Sequence, residues 1–270
     1  MKIRKAIEKA KLARGDRHTP NEQYMERAAR QGEWTPPVYT ESRYVRLDSE
    51  KMSDSNCIAI FPDSPYLDSF KVLRTRINSL AQIKGAKTLM VTSAVPGEGK
   101  TVTTVNLALT HAKEFDQTVL LMDCDFHRQD VHKYMGIESD KGLVDYLVGE
   151  VPLKDLIIWP GIEKMTLVSG GRTIQESTEI LNSSRMRGLV EEVKNRYPDR
   201  FVIFDVPPVL VGADAIVFSS LVDSIVMVVE YGKTSINDIK KALELLPQDK
   251  FFGFVLNKDD DRRNSYSYYY

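Results

Sequence analysis

Ser93-Ala94-Val95-Pro96-Gly97-Glu98-Gly99-Lys100-Thr101 follows the apolar, β-branched run Thr88-Leu89-Met90-Val91-Thr92 and leads into Val102-Thr103-Thr104-Val105-Asn106-Leu107-Ala108-Leu109. Val102, Val105 and Leu109 fall at helical spacing, so the stretch reads as a strand, a glycine-containing loop and a helix opened by Lys-Thr. That is the layout of a phosphate cradle: successive backbone N–H groups point inward and the helix N-terminus adds partial positive charge. In such a cradle Lys100 reaches the outer phosphates and the Thr101 hydroxyl holds Mg²⁺. The residues expected at the phosphates are Ala94, Val95, Pro96, Gly97, Glu98, Gly99, Lys100, Thr101 and Val102. The pattern calls for glycine at position 94, where this chain has Ala94. A glycine turn joining a strand to a helix would look similar in isolation; the strand and helix on either side favour the cradle.

Two further strand ends carry acid. Val119-Leu120-Leu121-Met122 has the length of a buried parallel strand and runs into Asp123-Cys124-Asp125. Phe201-Val202-Ile203-Phe204 runs into Asp205, followed by Val206-Pro207-Pro208. Carboxylates at the carboxyl ends of strands sit where α/β sheets bind ligands. Phosphoryl transfer needs oxygen ligands for Mg²⁺ and a group to take the nucleophile's proton. Strand-end carboxylates also cap helices or bind water; following a phosphate loop in this order, the metal-and-base reading is favoured. Further strands are expected at 165–169, 224–229 and 252–256, and helices over about 175–197 and 235–246. The expected fold is α/β: a single, mostly parallel sheet flanked by helices on both faces.

Outside this core the signals are weaker. Ile3, Ala6, Ile7, Ala10 and Ala13 form the thin apolar face of a short basic helix, suited to docking on a partner or an anionic membrane surface, or simply solvated. Residues 32–56 are polar and aperiodic, contain Pro36-Pro37, and read as linker. A helix is expected from about Ser64-Pro65, with Leu67, Phe70, Leu73, Ile77 and Leu80 as its stripe. The chain ends Tyr266-Ser267-Tyr268-Tyr269-Tyr270 after the charged run Asp259–Arg263, so it reads as a mobile tail of accessible hydroxyls, or as a sticky segment that packs on a partner. The organisation expected is residues 1–54 as basic helix and linker, 55–260 as the nucleotide domain and 261–270 as tail. The 270 residues have a net charge of -1, which gives no whole-chain pull toward nucleic acid or anionic lipid. Two cysteines without a disulfide framework suit a reducing compartment. No window approaches the ~18–20 apolar residues of a membrane span.

The phosphate loop, Asp123-x-Asp125, Asp205-x-Pro207-Pro208 and the tyrosine-rich end together resemble the bacterial tyrosine kinases, cytoplasmic P-loop autokinases of capsule and exopolysaccharide export whose fold is MinD/ParA-like. Ser64–Thr75 resembles that family's assembly helix, Gly142-Leu143-Val144-Asp145-Tyr146-Leu147 its "GLxDxL" loop, and Asp205–Leu210 continuing to Asp214-Ala215 its third Walker region. The basic N-terminal segment and stand-alone length resemble the exosortase-linked members. The resemblance implies ATP on the loop, Mg²⁺ arranged by Thr101, Asp125 and Asp205, catalysis by Lys100, Asp123 and Asp125, and Asn257 beside the adenine. Asp123 would orient the incoming tyrosine and accept its proton. It further implies acceptors at Tyr266, Tyr268, Tyr269 and Tyr270 that enter a neighbouring subunit of a ring. The implied partner is a transmembrane polysaccharide co-polymerase that recruits the kinase to the inner face of the plasma membrane; any other membrane contact would be weak and through the N-terminal helix. The chain departs from the family at His127, where arginine is usual and Arg128 follows, and at Asp68 and Lys71, where glutamate and arginine are usual. A ParA/MinD-type regulatory ATPase shares the fold and all three acidic strands, but carries a lysine five residues before the invariant one, where this chain has Val95. A non-catalytic nucleotide-binding module is the other alternative.

Overall fold

In the computed structural model the described residues are 42–259, apart from 60, 62 and 63. The chain divides into residues 1–38 and 39–270, and every described residue belongs to the second unit. The basic helix expected at 3–14 and the four tail tyrosines therefore lie outside the described residues.

In chain order the elements are β1 (Arg43–Tyr44), α1 (Ser49–Asp54), α2 (Leu67–Lys84), β2 (Thr88–Ser93), α3 (Lys100–His111), β3 (Thr118–Asp123), α4 (Val131–Tyr134), α5 (Leu143–Leu147), β4 (Ile158–Trp159), β5 (Met165–Val168), α6 (Ser177–Leu181), α7 (Ser184–Asn195), β6 (Arg200–Asp205), α8 (Asp214–Ser219), β7 (Ser224–Glu230), α9 (Ile236–Glu244) and β8 (Phe251–Asn257). The strands form one sheet in the order β1-β4-β5-β3-β6-β2-β7-β8. Every pairing is parallel except β4 with β5.

Period-two alternation explains why both faces are covered. Met90, Leu120, Met122, Val202, Phe204 and Met227 point to one face, against Leu189, Val190 and Val193 of α7 and Phe218 of α8. Leu89, Val91, Val119, Leu121, Ile203 and Val228 point to the other, against Val105 and Leu109 of α3, with Ile77 and Ala81 of α2 behind them. Helix α3 is thus enclosed, which is why a helix opened by lysine and threonine is otherwise rich in Val, Leu and Ala. From β2 the chain crosses to β3; from β6, the neighbour of β2, it crosses the opposite way to β7. This reversal leaves a crevice at the strands' carboxyl ends, the place where open α/β sheets bind ligands.

The linker reading of 32–56 fails from residue 43 onward. Arg43–Tyr44 pair in parallel with Ile158–Trp159, and α1, capped by the Asp48 carboxylate, buries Met52 in the core. A two-residue strand has no period to read, and α1 offers a single apolar anchor, so neither raised a signal. Helix α2 begins at Leu67, later than expected. The helix expected over 175–197 is two helices, because the Ser183 hydroxyl caps α7 at the Met186 N–H and ends α6 before it. Among the described residues no helix is long and apolar enough to cross a membrane.

Candidate active site

The sheet register assembles the site. Asp123 of β3 stands opposite Asp205 of β6, and Asp205 opposite Val91 of β2, so both carboxylates emerge beside the loop that leaves β2. The loop turns through Gly97 and Gly99, at φ 86° and 90°, and delivers Lys100 at the start of α3. No left-handed backbone occurs at Ala94, so alanine there carries no strain.

Lys100 Nζ lies 2.7 Å from Asp125 Oδ2 and 3.2 Å from Asp205 Oδ2. Thr101 Oγ1 donates to the same Asp205 oxygen at 2.7 Å, and Thr104 Oγ1 donates to Asp205 Oδ1 at 3.0 Å. Asp123 sits behind them, fully buried, its oxygens accepting the N–H groups of Asp125 at 3.1 Å and Val131 at 3.3 Å. Asp125 Oδ1 accepts the Arg128 N–H at 2.9 Å. The structure therefore brings Lys100, Thr101, Asp123, Asp125 and Asp205 together.

The electrostatics follow from one ammonium facing three carboxylates in a buried place. Burial raises the pKa of Asp123 well above the usual carboxylate value, and Asp205 adds to it while Lys100 opposes. Burial also raises Asp205, against the pull of Lys100 and the Thr101 hydroxyl. Burial alone would lower Lys100, but Asp205 and Asp125 outweigh it and hold the ammonium above its ordinary value. Cys124, between the two acids and fully buried, is pushed well up by burial and then by Asp123.

This donor set suits a hard cation: a hydroxyl and carboxylates carrying more negative charge than Lys100 neutralises. Among the described residues no three or more His, Cys, Asp or Glu side chains could hold a metal by themselves. Mg²⁺ takes one or two protein carboxylates and completes its shell with substrate phosphate and water.

Two participants, Thr104 and Lys258, escaped sequence reading, and Glu98, expected at the phosphates, has a bracing role that the sequence did not show. Thr104 is one turn beyond Lys100 and on the same face as Thr101, a spacing that could have flagged it. Glu98, buried within the loop, accepts the Val95 N–H at 2.8 Å and the hydroxyl of Thr234 from the turn between β7 and α9. Lys258 reaches the loop from the end of β8. Asn257, expected at the adenine, donates Nδ2 to the Glu98 carbonyl at 2.8 Å. His127 turns to Asp214 (3.2 Å) and Ser177 (2.9 Å), and Arg128 pairs with Asp130 at 2.7 Å. Gly142 packs where a Cβ would meet Ser169 O at 2.2 Å, which explains glycine at the start of α5.

A family model described as an AAA domain matches residues 86–249, the stretch from the residue before Lys87 to the end of the turn after α9. Over 229 residues the chain is 31% identical to tyrosine-protein kinase YwqD of Bacillus subtilis (strain 168), covering 83% of this chain and 95% of that one. The chain belongs to the bacterial tyrosine kinases. Among solved structures, the kinase domain of the Escherichia coli tyrosine kinase ETK matches this bacterial tyrosine kinase with a TM-score of 0.71 and 25% identity, covering 95% of this chain and 100% of that domain. MinD of Pyrococcus horikoshii, solved with Mg-ADP, matches with a TM-score of 0.52 at 20% identity over 63% of this chain and 69% of its own, and shares the fold alone. In the stretch that resembles the kinases' assembly helix, Asp68 and Lys71 pair with each other at 2.9 Å on the exposed surface of α2. Arg74 is committed inward, donating to the Thr110 carbonyl at 2.7 Å and pairing with Glu114 at 2.5 Å.

Proposed function

We propose that this bacterial tyrosine kinase transfers the γ-phosphoryl group of ATP to tyrosines of its own C-terminal cluster, Tyr266, Tyr268, Tyr269 and Tyr270, on a neighbouring subunit of a homo-oligomeric ring. The observation that carries this reading is Lys100 Nζ held between Asp125 and Asp205 at the mouth of the phosphate loop. In the reaction the phenol oxygen forms a bond to the γ-phosphorus, the bond to the β–γ bridging oxygen breaks, ADP leaves, and the phenol proton passes to a base. Asp123 is that base: its raised pKa suits it to hold a proton, and two of a carboxylate's roughly four lone-pair sites remain beyond the backbone N–H groups it accepts. Lys100 neutralises charge on the transferred group, and the loop N–H groups fix its phosphates. Thr101, Asp125 and Asp205 would hold Mg²⁺, which when bound neutralises phosphate charge. Asn257 would border the adenine. With a tyrosine pKa near 10, free phenolate is scarce at neutral pH. A loose transition state needs little early proton removal, so positioning dominates.

The partner in this reading is a transmembrane polysaccharide co-polymerase whose cytoplasmic tail completes activation at the inner face of the membrane. Each phosphate adds about -1.5 to -2 charge to the tail, which loosens the assembly and so regulates polysaccharide length and export. The test is incubation of the full chain with MgATP and the co-polymerase's cytoplasmic tail, followed by mass spectrometry of the C-terminal peptide. Wild type acquires phosphotyrosine and Lys100→Met does not. Mixing Lys100→Met protein with a variant carrying phenylalanine at the four tail positions should label the Lys100→Met tail. Labelling of Lys100→Met alone overturns the site assignment.

A further inference from the structure

Asn257, the last residue of β8, and Lys258, the residue after it, both hold the phosphate loop. Asn257 Nδ2 donates to the Glu98 carbonyl at 2.8 Å, and Lys258 Nζ donates to the Gly97 carbonyl at 2.6 Å. In a trans peptide the N–H points opposite to the C=O. Fixing these two carbonyls toward β8 therefore turns the next two amides, those of Glu98 and Gly99, the other way. Amides so turned are what a loop needs to present donors to phosphate. The fit is close: a Cβ on Gly99 would lie 2.1 Å from Asn257 Nδ2.

Lys258 differs from the loop's other supports. Glu98 works from within the fold, buried at 1% exposure. The Lys258 side chain is 45% exposed, and its ammonium is shared with Glu230 at 3.1 Å. Its backbone is left-handed at φ 59°, a conformation lysine seldom adopts, and its side chain reaches back to the loop. Eight residues further along the sequence stands Tyr266.

We propose that Lys258 is a positioning residue of the nucleotide site: a strut by which the root of the tyrosine tail keeps the phosphate loop in its binding shape, so that nucleotide retention depends on how that root is held. The inference rests on the loop's being the nucleotide site. An ammonium-to-carbonyl bond is stronger than a neutral one, but partial exposure discounts it, so its loss should change dissociation about five- to tenfold.

The experiment follows release of N-methylanthraniloyl-ADP from the full-length protein with Mg²⁺, by stopped flow, and hydrogen exchange of the peptide spanning residues 94–101 without nucleotide. Lys258→Met should speed release about five- to tenfold and accelerate exchange in that peptide, while Lys258→Arg, which keeps a charged donor, restores both most of the way. The melting temperature should hardly move, which separates positioning from folding. Unchanged release and exchange in Lys258→Met overturn the inference, as does an arginine variant as impaired as the methionine one. If wild type binds no nucleotide yet loop exchange still depends on Lys258, the proposed function fails and the strut stands.

Discussion

On one side of the phosphate loop, Lys100 is held between Asp125 and Asp205, with side chains 11%, 5% and 0% exposed. On the other, Lys258 and Lys233 share Glu230, and the lysines are 45% and 74% exposed. The contacts are of similar length, 2.7 and 3.2 Å against 3.1 and 3.3 Å, so distance does not distinguish them. Solvent does. Water screens the outer group, and each of its pairs contributes little. The inner group is dehydrated, its acids outnumber its one base, and part of that cost is relieved only by protons or by a ligand that brings positive charge. Under the proposed function, a cation arriving with phosphates would relieve part of that cost.

The comparison breaks most visibly at Lys100. Lys100→Met should lower the phosphotyrosine yield by about 10²–10³-fold or more. It should also cost the nucleotide-free protein about 3–5 kcal/mol at neutral pH, read from urea denaturation, because the acids lose their partner. A next, smaller effect is on pH dependence. The folded-state pKa values of Asp123 and Asp205 lie above 3.8, the ordinary value. Their contribution to stability is therefore complete below that value and is lost as pH rises through the raised ones. Asp123→Asn should gain on wild type as pH rises from 4 toward neutrality, and the two urea midpoints should run parallel if the buried-acid account is wrong. Smaller again is Thr104→Val, which removes without changing shape a hydroxyl whose one proton is shared between the Lys100 carbonyl and Asp205, and should cost about 1 kcal/mol in the same denaturation. Smallest is Lys233→Ala in the solvated group, whose melting curve should overlay that of wild type.

What was legible in the sequence was local. The phosphate loop, Lys100 and Thr101 are contiguous, and Asp123, Asp125 and Asp205 each terminate an apolar run, so motif and strand pattern point to them together. The strands expected at 165–169, 224–229 and 252–256 appear as Met165–Val168, Ser224–Glu230 and Phe251–Asn257 because each is a continuous buried or edge run. Contacts made across long sequence separations left no such mark. Glu98 reads only as one of the loop residues at the phosphates until its carboxylate meets the Glu230 N–H and the Thr234 hydroxyl, and Lys258 carries no signal of its own until its ammonium meets Gly97, 161 residues away. The antiparallel β4 and the segment 43–54 were missed for a related reason: two-residue strands and a six-residue helix acquire their structure from neighbours, not from a period of their own.

The segment that leads into the kinase core is fastened in part by a buried amide. Asn106, inside α3, accepts the Ala59 N–H at 2.8 Å through Oδ1 and donates Nδ2 to the Asn56 carbonyl at 2.8 Å. Together with the pairing of β1, this makes residues 43–59 a rigid handle on the helix that begins at Lys100, rather than a leash. A fluorophore placed at Arg46 should tumble at the rate of the unit that carries the sheet, and torque applied there would reach the helix opened by Lys100 directly.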